Sequence, residues 1–210
     1  MPSWLRAAVA FLAMLTVSAC ADPRIAVPLA DVPVATPVIP GSVYLIRGGF
    51  NIFSTGMDEL AEKLRRVHVD AQVVGHSGWQ ATAEKIRAEY RQTHAPIVLI
   101  GHSWGALAAE LIARDLNRDA IPVALLELYD STDPLTVTPN VRRVINYRSL
   151  TGMHDGDVVT AETGFTGTLQ NIDEPAYGHL NIDNAPAMHQ LSIADVLAVL
   201  QPAKRVTTAH

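Results

Sequence analysis

From residue 43 onward the chain repeats one unit: a short run of apolar, β-favouring residues, then a stretch whose apolar residues recur at helical spacing. Strands are predicted at 43–46, 69–74, 97–100, 123–129, 141–147 and 168–172. Helices are predicted after the first strand, with Met57, Leu60, Ala61, Leu64 and Val67 on one face and Thr55 with Asp58 as a capping-box-like start, and at about 81–92, 105–116 and 187–200. Ala83, Ile86 and Tyr90 would face inward on the second helix, and Ile193, Val196, Leu197 and Leu200 on the last. Such alternation predicts an α/β three-layer sandwich with a mainly parallel sheet of about six strands. Right-handed crossovers put the strand at 97–100 in the middle, and ligands are expected at its C-terminal end.

That strand runs straight into helix-forming sequence through "IVLIGHSWGALAAEL". A strand turning directly into a helix needs a very tight bend, and Gly101 and Gly105 remove the Cβ atoms that would collide in it. The result is an exposed, strained Ser103 at a helix N-terminus, with the Trp104 N–H aimed at any oxyanion formed there. Strand, G-x-S-x-G and helix in sequence describe a nucleophile elbow; the pentapeptide alone would be weak.

A serine hydroxyl needs a base, and the base an orienting carboxylate, here expected in the order Ser, Asp, His. Asp130 ends the next strand, in "PVALLELYDSTDP", on the same sheet edge as Ser103 and is favoured. Asp155 is the main rival, with Asp157 beside it in "RSLTGMHDGD", and Asp133 reads as a turn residue before Pro134. His179, in the loop before the last helix, is the expected base. His189 falls inside that helix, too far from the elbow, and His102 is expected to point away from the serine as a packing or hydrogen-bonding residue. The other histidines show no ligand spacing, so no metal site is predicted, and the chemistry needs no cofactor. In "YLIRGGFNIF", Gly48 and Gly49 free the backbone for a second oxyanion donor from Gly49 or Phe50. A phosphate cradle there lacks the lysine and spacing of a P-loop. Phe50, Phe53 and Trp104 are candidates for an acyl pocket, or for plain core.

The first forty residues read differently. "MPSWLRAAVAFLAMLTVSAC" has Arg6, an apolar run at 7–17 and small residues before Cys20, the one cysteine in the chain. That is an export signal, too short for a comfortable membrane span. Val17-Ser18-Ala19-Cys20 resembles a bacterial lipobox, which implies cleavage before Cys20 and a lipid on it; a plain secretory signal is the alternative. Five prolines between 23 and 40 suggest a semi-rigid tether. The expected organisation is a signal at 1–19, a tether at 20–42, a domain at 43–203 and a tail at 204–210, in a cell envelope and facing the periplasm on an outer membrane. Loss of the signal takes the formal charge from −5 to −6, because Arg6 goes with it. With no basic cluster, nucleic acid is an unsuitable partner.

On "GHSWGA", "LIRGGFN", "LYDSTDP" and "GHLNID", the stretch from about 43 to 200 resembles the α/β-hydrolase superfamily, in particular small bacterial lipase- or thioesterase-like members. The resemblance implies acyl transfer to water through an acyl-serine, with Ser103 as nucleophile, His179 as general base and Asp130 as its orienter. Small-molecule esters or thioesters are the expected substrates. The chain lacks the two antiparallel strands that open the sheet of larger members, and only the loop at about 149–166 could cover the site. A non-catalytic envelope lipoprotein using this fold to bind is the competing reading, and acyl transfer to an acceptor other than water is a variant of the first.

Overall fold

The computed structural model describes residues 33–49, 54–151 and 156–201. The signal, Cys20 and most of the tether, together with Phe50, Phe53, Asp155 and the tail, lie outside them. The elements run β1 (Ile39–Arg47), α1 (Gly56–Arg66), β2 (Val69–Gly75), α2 (Trp79–Thr93), β3 (Ile97–His102), α3 (Trp104–Asn117), β4 (Leu125–Tyr129), β5 (Thr136–Val137), β6 (Arg143–Thr151), β7 (Thr160–Ala161), β8 (Thr168–Gly178) and α4 (Pro186–Leu200). Six strands form one sheet in the order β2-β1-β3-β4-β6-β8, every neighbouring pair parallel.

The near-continuous apolar runs follow from burial of the sheet on both faces. Side chains alternate along each strand: Ile97 and Leu99 of β3 join Tyr44, Ile46, Leu126 and Leu128 in one core, where α2 and α3 pack. Val98 and Ile100 join Val43, Leu45, Leu125 and Tyr129 in the other, against α1 and α4. On α1, Met57, Leu60, Ala61 and Leu64 are fully buried, the first, second and last contributing roughly 1.5–3 kcal/mol each.

Several elements differ from their sequence reading. β1 begins at Ile39, paired with Val69, so the last residues assigned to the tether belong to the sheet. Thr55 makes no side-chain cap on α1; its backbone is already helical, and Asp183 of a distant loop instead accepts the Gly56 N–H at 3.2 Å. The loop at 149–166 is not a free cover in its second half. β7 pairs with β5, and Asn171 bonds both the N–H and the C=O of Val159 at 2.9 and 3.0 Å.

The buried stripe of α4 is Met188, His189, Ser192, Val196 and Leu200, with Ile193 and Leu197 only partly covered. Polar residues take inward positions because the sheet beneath is polar there. Glu127, wholly buried in β4, accepts a hydrogen bond from Ser192, which also meets the Tyr129 hydroxyl. Among the described residues the Glu127 Oε2 atom has no hydrogen-bond partner. Burial pushes this carboxyl up to about 7. A folded-state pKa above the ordinary value means stability present in full below about pH 4.5 and lost as pH rises through about 7, by roughly 3 kcal/mol at most. Glu127→Gln should therefore flatten the decline of the urea midpoint between about pH 5 and pH 8; Asp183, shifted in the same direction, should leave a residual slope.

Candidate active site

Three backbone surfaces meet at the elbow. A Cβ on Gly101 would lie 2.2 Å from the Gly105 carbonyl oxygen, and one on Gly105 would lie 2.1 Å from that of Ile46, in the neighbouring strand. Gly48, in the turn after β1, is held as closely: its Cβ would sit 2.6 Å from the His102 carbonyl oxygen and 2.9 Å from the Ser103 Cβ. Glycine is required at all three positions by space. Between them Ser103, expected to be exposed, is buried at 8% because His179 and the turn after β1 pack over it, and it adopts φ 57°, ψ −125°, a left-handed-side conformation that a side chain rarely takes and that stores about 1–3 kcal/mol of strain. Its backbone is pinned by Ser103 N–H to Tyr129 C=O at 2.9 Å and by Ala106 N–H to its own carbonyl at 2.9 Å.

The structure brings Ser103, His179 and Asp130 together. His179 Nε2 lies 3.1 Å from Ser103 Oγ, and its Nδ1 lies 2.5 Å from Asp130 Oδ2. A carboxylate can only accept, so Nδ1 carries the proton and Nε2 turns a lone pair to the serine hydroxyl. Asp130 is fully buried, with φ 51°, just past β4. Ser149, near the end of β6, donates to it twice: backbone N–H to Oδ1 at 2.7 Å and hydroxyl to Oδ2 at 2.8 Å. Burial alone would raise the Asp130 pKa, but the bonds from His179 and Ser149 outweigh it and hold the carboxyl below its ordinary value. The role of Ser149 had no signal in the sequence, because it depends on β6 running beside β4.

The remaining candidates separate. Asp133 stays in its own turn, accepting from Thr132 at 3.2 Å, and the Asp157 main chain bonds Ser131 and Asn146. His189 is buried in α4, with Nε2 donating to the Asp183 carbonyl at 2.6 Å and Nδ1 facing Lys63 Nζ at 2.8 Å. His102, expected to be a packing or hydrogen-bonding residue, is buried next to His179, ring centroids 5.1 Å apart, with its Nε2 2.9 Å from the His179 carbonyl oxygen. Trp104 opens α3, placing its N–H beside Ser103. Its side chain is 42% exposed and tilted over His76, so it is surface, not core. Gly49 lies in the turn after β1, beside Gly48. Among the described residues no group of three or more His, Cys, Asp or Glu is placed to hold a metal ion.

No protein-family profile matches the chain, and neither does any curated protein sequence. Solved structures do. The NocB thioesterase domain from the nocardicin cluster, in covalent complex with a fluorophosphonate nocardicin G analogue, superposes with a TM-score of 0.51 at 12% identity, covering 78% of this chain and 96% of that one. Human thioesterase 2 gives a TM-score of 0.48 at 11% identity, covering 77% and 96%. A Xanthomonas campestris protein, proposed to be a hydrolase of the alpha/beta superfamily, gives 0.43 at 14%, covering 78% and 98%. With the strand order above, the first of these likenesses gives the chain the fold of that thioesterase domain, a parallel α/β sandwich.

Because the elbow is fixed by space, Gly105→Ala should lower unfolding free energy by about 2 kcal/mol or more in urea titration. A substitution at the open Gly78, where an added Cβ meets nothing within 4 Å, should change it by less than about 1 kcal/mol.

Proposed function

We propose that the chain is a serine hydrolase that cleaves carboxylic ester or thioester bonds through an acyl-serine intermediate. The observation that carries this reading is the unbroken hydrogen-bonded series from Ser103 through His179 to the buried, doubly supported Asp130. His179 Nε2 takes the hydroxyl proton as Ser103 Oγ attacks the acyl carbonyl carbon. The carbonyl electron pair moves onto oxygen, beside the Trp104 N–H at the start of α3, with an N–H of Gly49 or Phe50 as the second donor on the sequence reading. Collapse re-forms the carbonyl and breaks the bond to the alcohol or thiol, which leaves with the proton from His179. Water, deprotonated by the same nitrogen, then attacks the acyl-serine; the acid departs, and Ser103 regains its proton. Asp130 stays ionised throughout and stabilises the transient imidazolium.

Two exposed large apolar residues adjoin the reacting groups along the chain: Trp104, 42% exposed, after Ser103, and Leu180, 58% exposed, after His179. They suit an apolar acyl chain better than a polar one. Anchoring through a lipid on Cys20, in a bacterial envelope, belongs to the same proposal and rests on the lipobox-like sequence. The non-catalytic binding reading finds no comparable support, since a binding module has no need of an acid, a base and a strained hydroxyl in line.

A fluorophosphonate probe should label the wild-type protein at Ser103. Nitrophenyl esters and acyl thioesters of graded length should be turned over, with Ser103→Ala losing on the order of 10⁴-fold or more in kcat and Asp130→Asn roughly 10³- to 10⁴-fold. An unlabelled, inactive wild-type protein would sink the hydrolase reading. Cys20→Ser should shift the protein from the membrane to the soluble fraction; unchanged fractionation would refute the anchor.

A further inference from the structure

We propose that His102 is a positioning residue: one ring holds the backbone of His179 through Nε2–H and the turn after β1 through Nδ1, fixing the base against the nucleophile. The inference rests on the acyl-transfer reading above and concerns the same site. Three hydrogen bonds carry it. Gly48 N–H lies 2.9 Å from Ser54 Oγ, Ser54 Oγ lies 2.7 Å from His102 Nδ1, and His102 Nε2 lies 2.9 Å from the His179 carbonyl oxygen. A carbonyl only accepts, so the single ring proton is on Nε2. Nδ1 is then a lone pair, the Ser54 hydroxyl donates to it, and the Ser54 oxygen accepts from Gly48. Every donor and acceptor in this series has one possible direction.

The series joins three segments that nothing else in the sequence relates: the turn after β1, the elbow and the loop after β8. His102 and Ser54 are buried, whereas residues 177–181 around His179 are half-buried or exposed. The loop is thus tied at its functional residue to a rigid interior ring. Within it, Gly178 N–H bonds Asn181 Oδ1 at 2.8 Å and Asn181 N–H bonds the Gly178 carbonyl at 3.1 Å, a turn closed on itself. The charged and titratable groups around the His102 ring are His179, Asp130 and Asp183, whose Oδ2 is 3.7 Å from Nδ1. Burial, with His179 beside it, pushes the His102 pKa down to about 4, so the ring keeps one proton throughout the neutral range. Burial raises the Asp183 carboxyl to about 7, so it carries its full negative charge only above neutral pH.

Amide side chains separate the two halves of the role. In His102→Gln the amide nitrogen can occupy the Nε2 position and donate to the His179 carbonyl. In His102→Asn the side chain reaches only as far as Ser54, and His102→Ala removes both bonds. For the ester panel, the alanine and asparagine variants should lose about 10- to 100-fold in kcat with KM changed less than about twofold, and the glutamine variant should recover to within about threefold of wild type. The downfield NMR resonance of the His179 Nδ1 proton, bonded to Asp130, should broaden or vanish in the first two and persist in the third. Equal losses in all three variants, tracking their melting temperatures, would reduce His102 to a packing residue and overturn the inference; so would an unaltered His179 resonance in His102→Ala. Should wild type neither label nor turn over esters, the acyl-transfer reading falls, while the NMR comparison still decides whether His102 holds His179.

Discussion

The contact on which the rest depends is the approach of two glycine backbones to carbonyl oxygens: Gly101 to Gly105, and Gly105 to Ile46. Only with both Cβ atoms absent can α3 start directly at the end of β3, and only that start lifts Ser103 into its strained conformation. The strain is supported by a buried sheet, since β3 lies between β1 and β4 with every residue covered. A less rigid strand would relax the bend and return the serine to ordinary backbone geometry.

From this bend the site is assembled by neighbouring strand ends. β4 delivers Asp130, β6 delivers the Ser149 donors that keep it ionised, and the loop after β8 brings His179 across to the serine. The opposite side of the site is closed by the turn after β1 and by the start of α1. There Asp183 takes the Gly56 N–H, and Gly56 leaves room for the Asp183 carbonyl, which a Cβ would meet at 2.0 Å. Buried polar groups recur in this half of the molecule, at Asp183, His189, Glu127 and Ser192. Each is placed by main-chain or helix contacts, apart from the lone Oε2 of Glu127.

Local features of the chain were readable in advance where a residue's role is settled by its own neighbours in sequence. The six main strands, the four helices, the glycines of the elbow and the strand-end position of Asp130 are of this kind, because period and turn sterics are properties of short stretches. What stayed hidden depends on partners far along the chain. The α1 cap comes from Asp183, more than a hundred residues away, so Thr55 and Asp58 pointed to the wrong device. The polar stripe of α4 answers Glu127 on a strand that reads as plain apolar sequence. His102 precedes Ser103 in the chain yet hydrogen-bonds Ser54 and the His179 carbonyl, which no spacing rule connects. Ser149 acts on Asp130 only because β6 pairs with β4.

The position of β8 has a consequence for how the molecule fails. Like β2 it is an edge strand of the sheet, and its residues are all exposed or half-covered, whereas β3 and β4 are sealed. The imidazole is therefore hung from the part of the sheet that opens with least effort, and the hydroxyl from the part that opens last. Gentle warming should unfasten the loop that bears His179 while the two buried cores remain folded, so that the contact between His179 and Ser103 is lost before the cooperative melt.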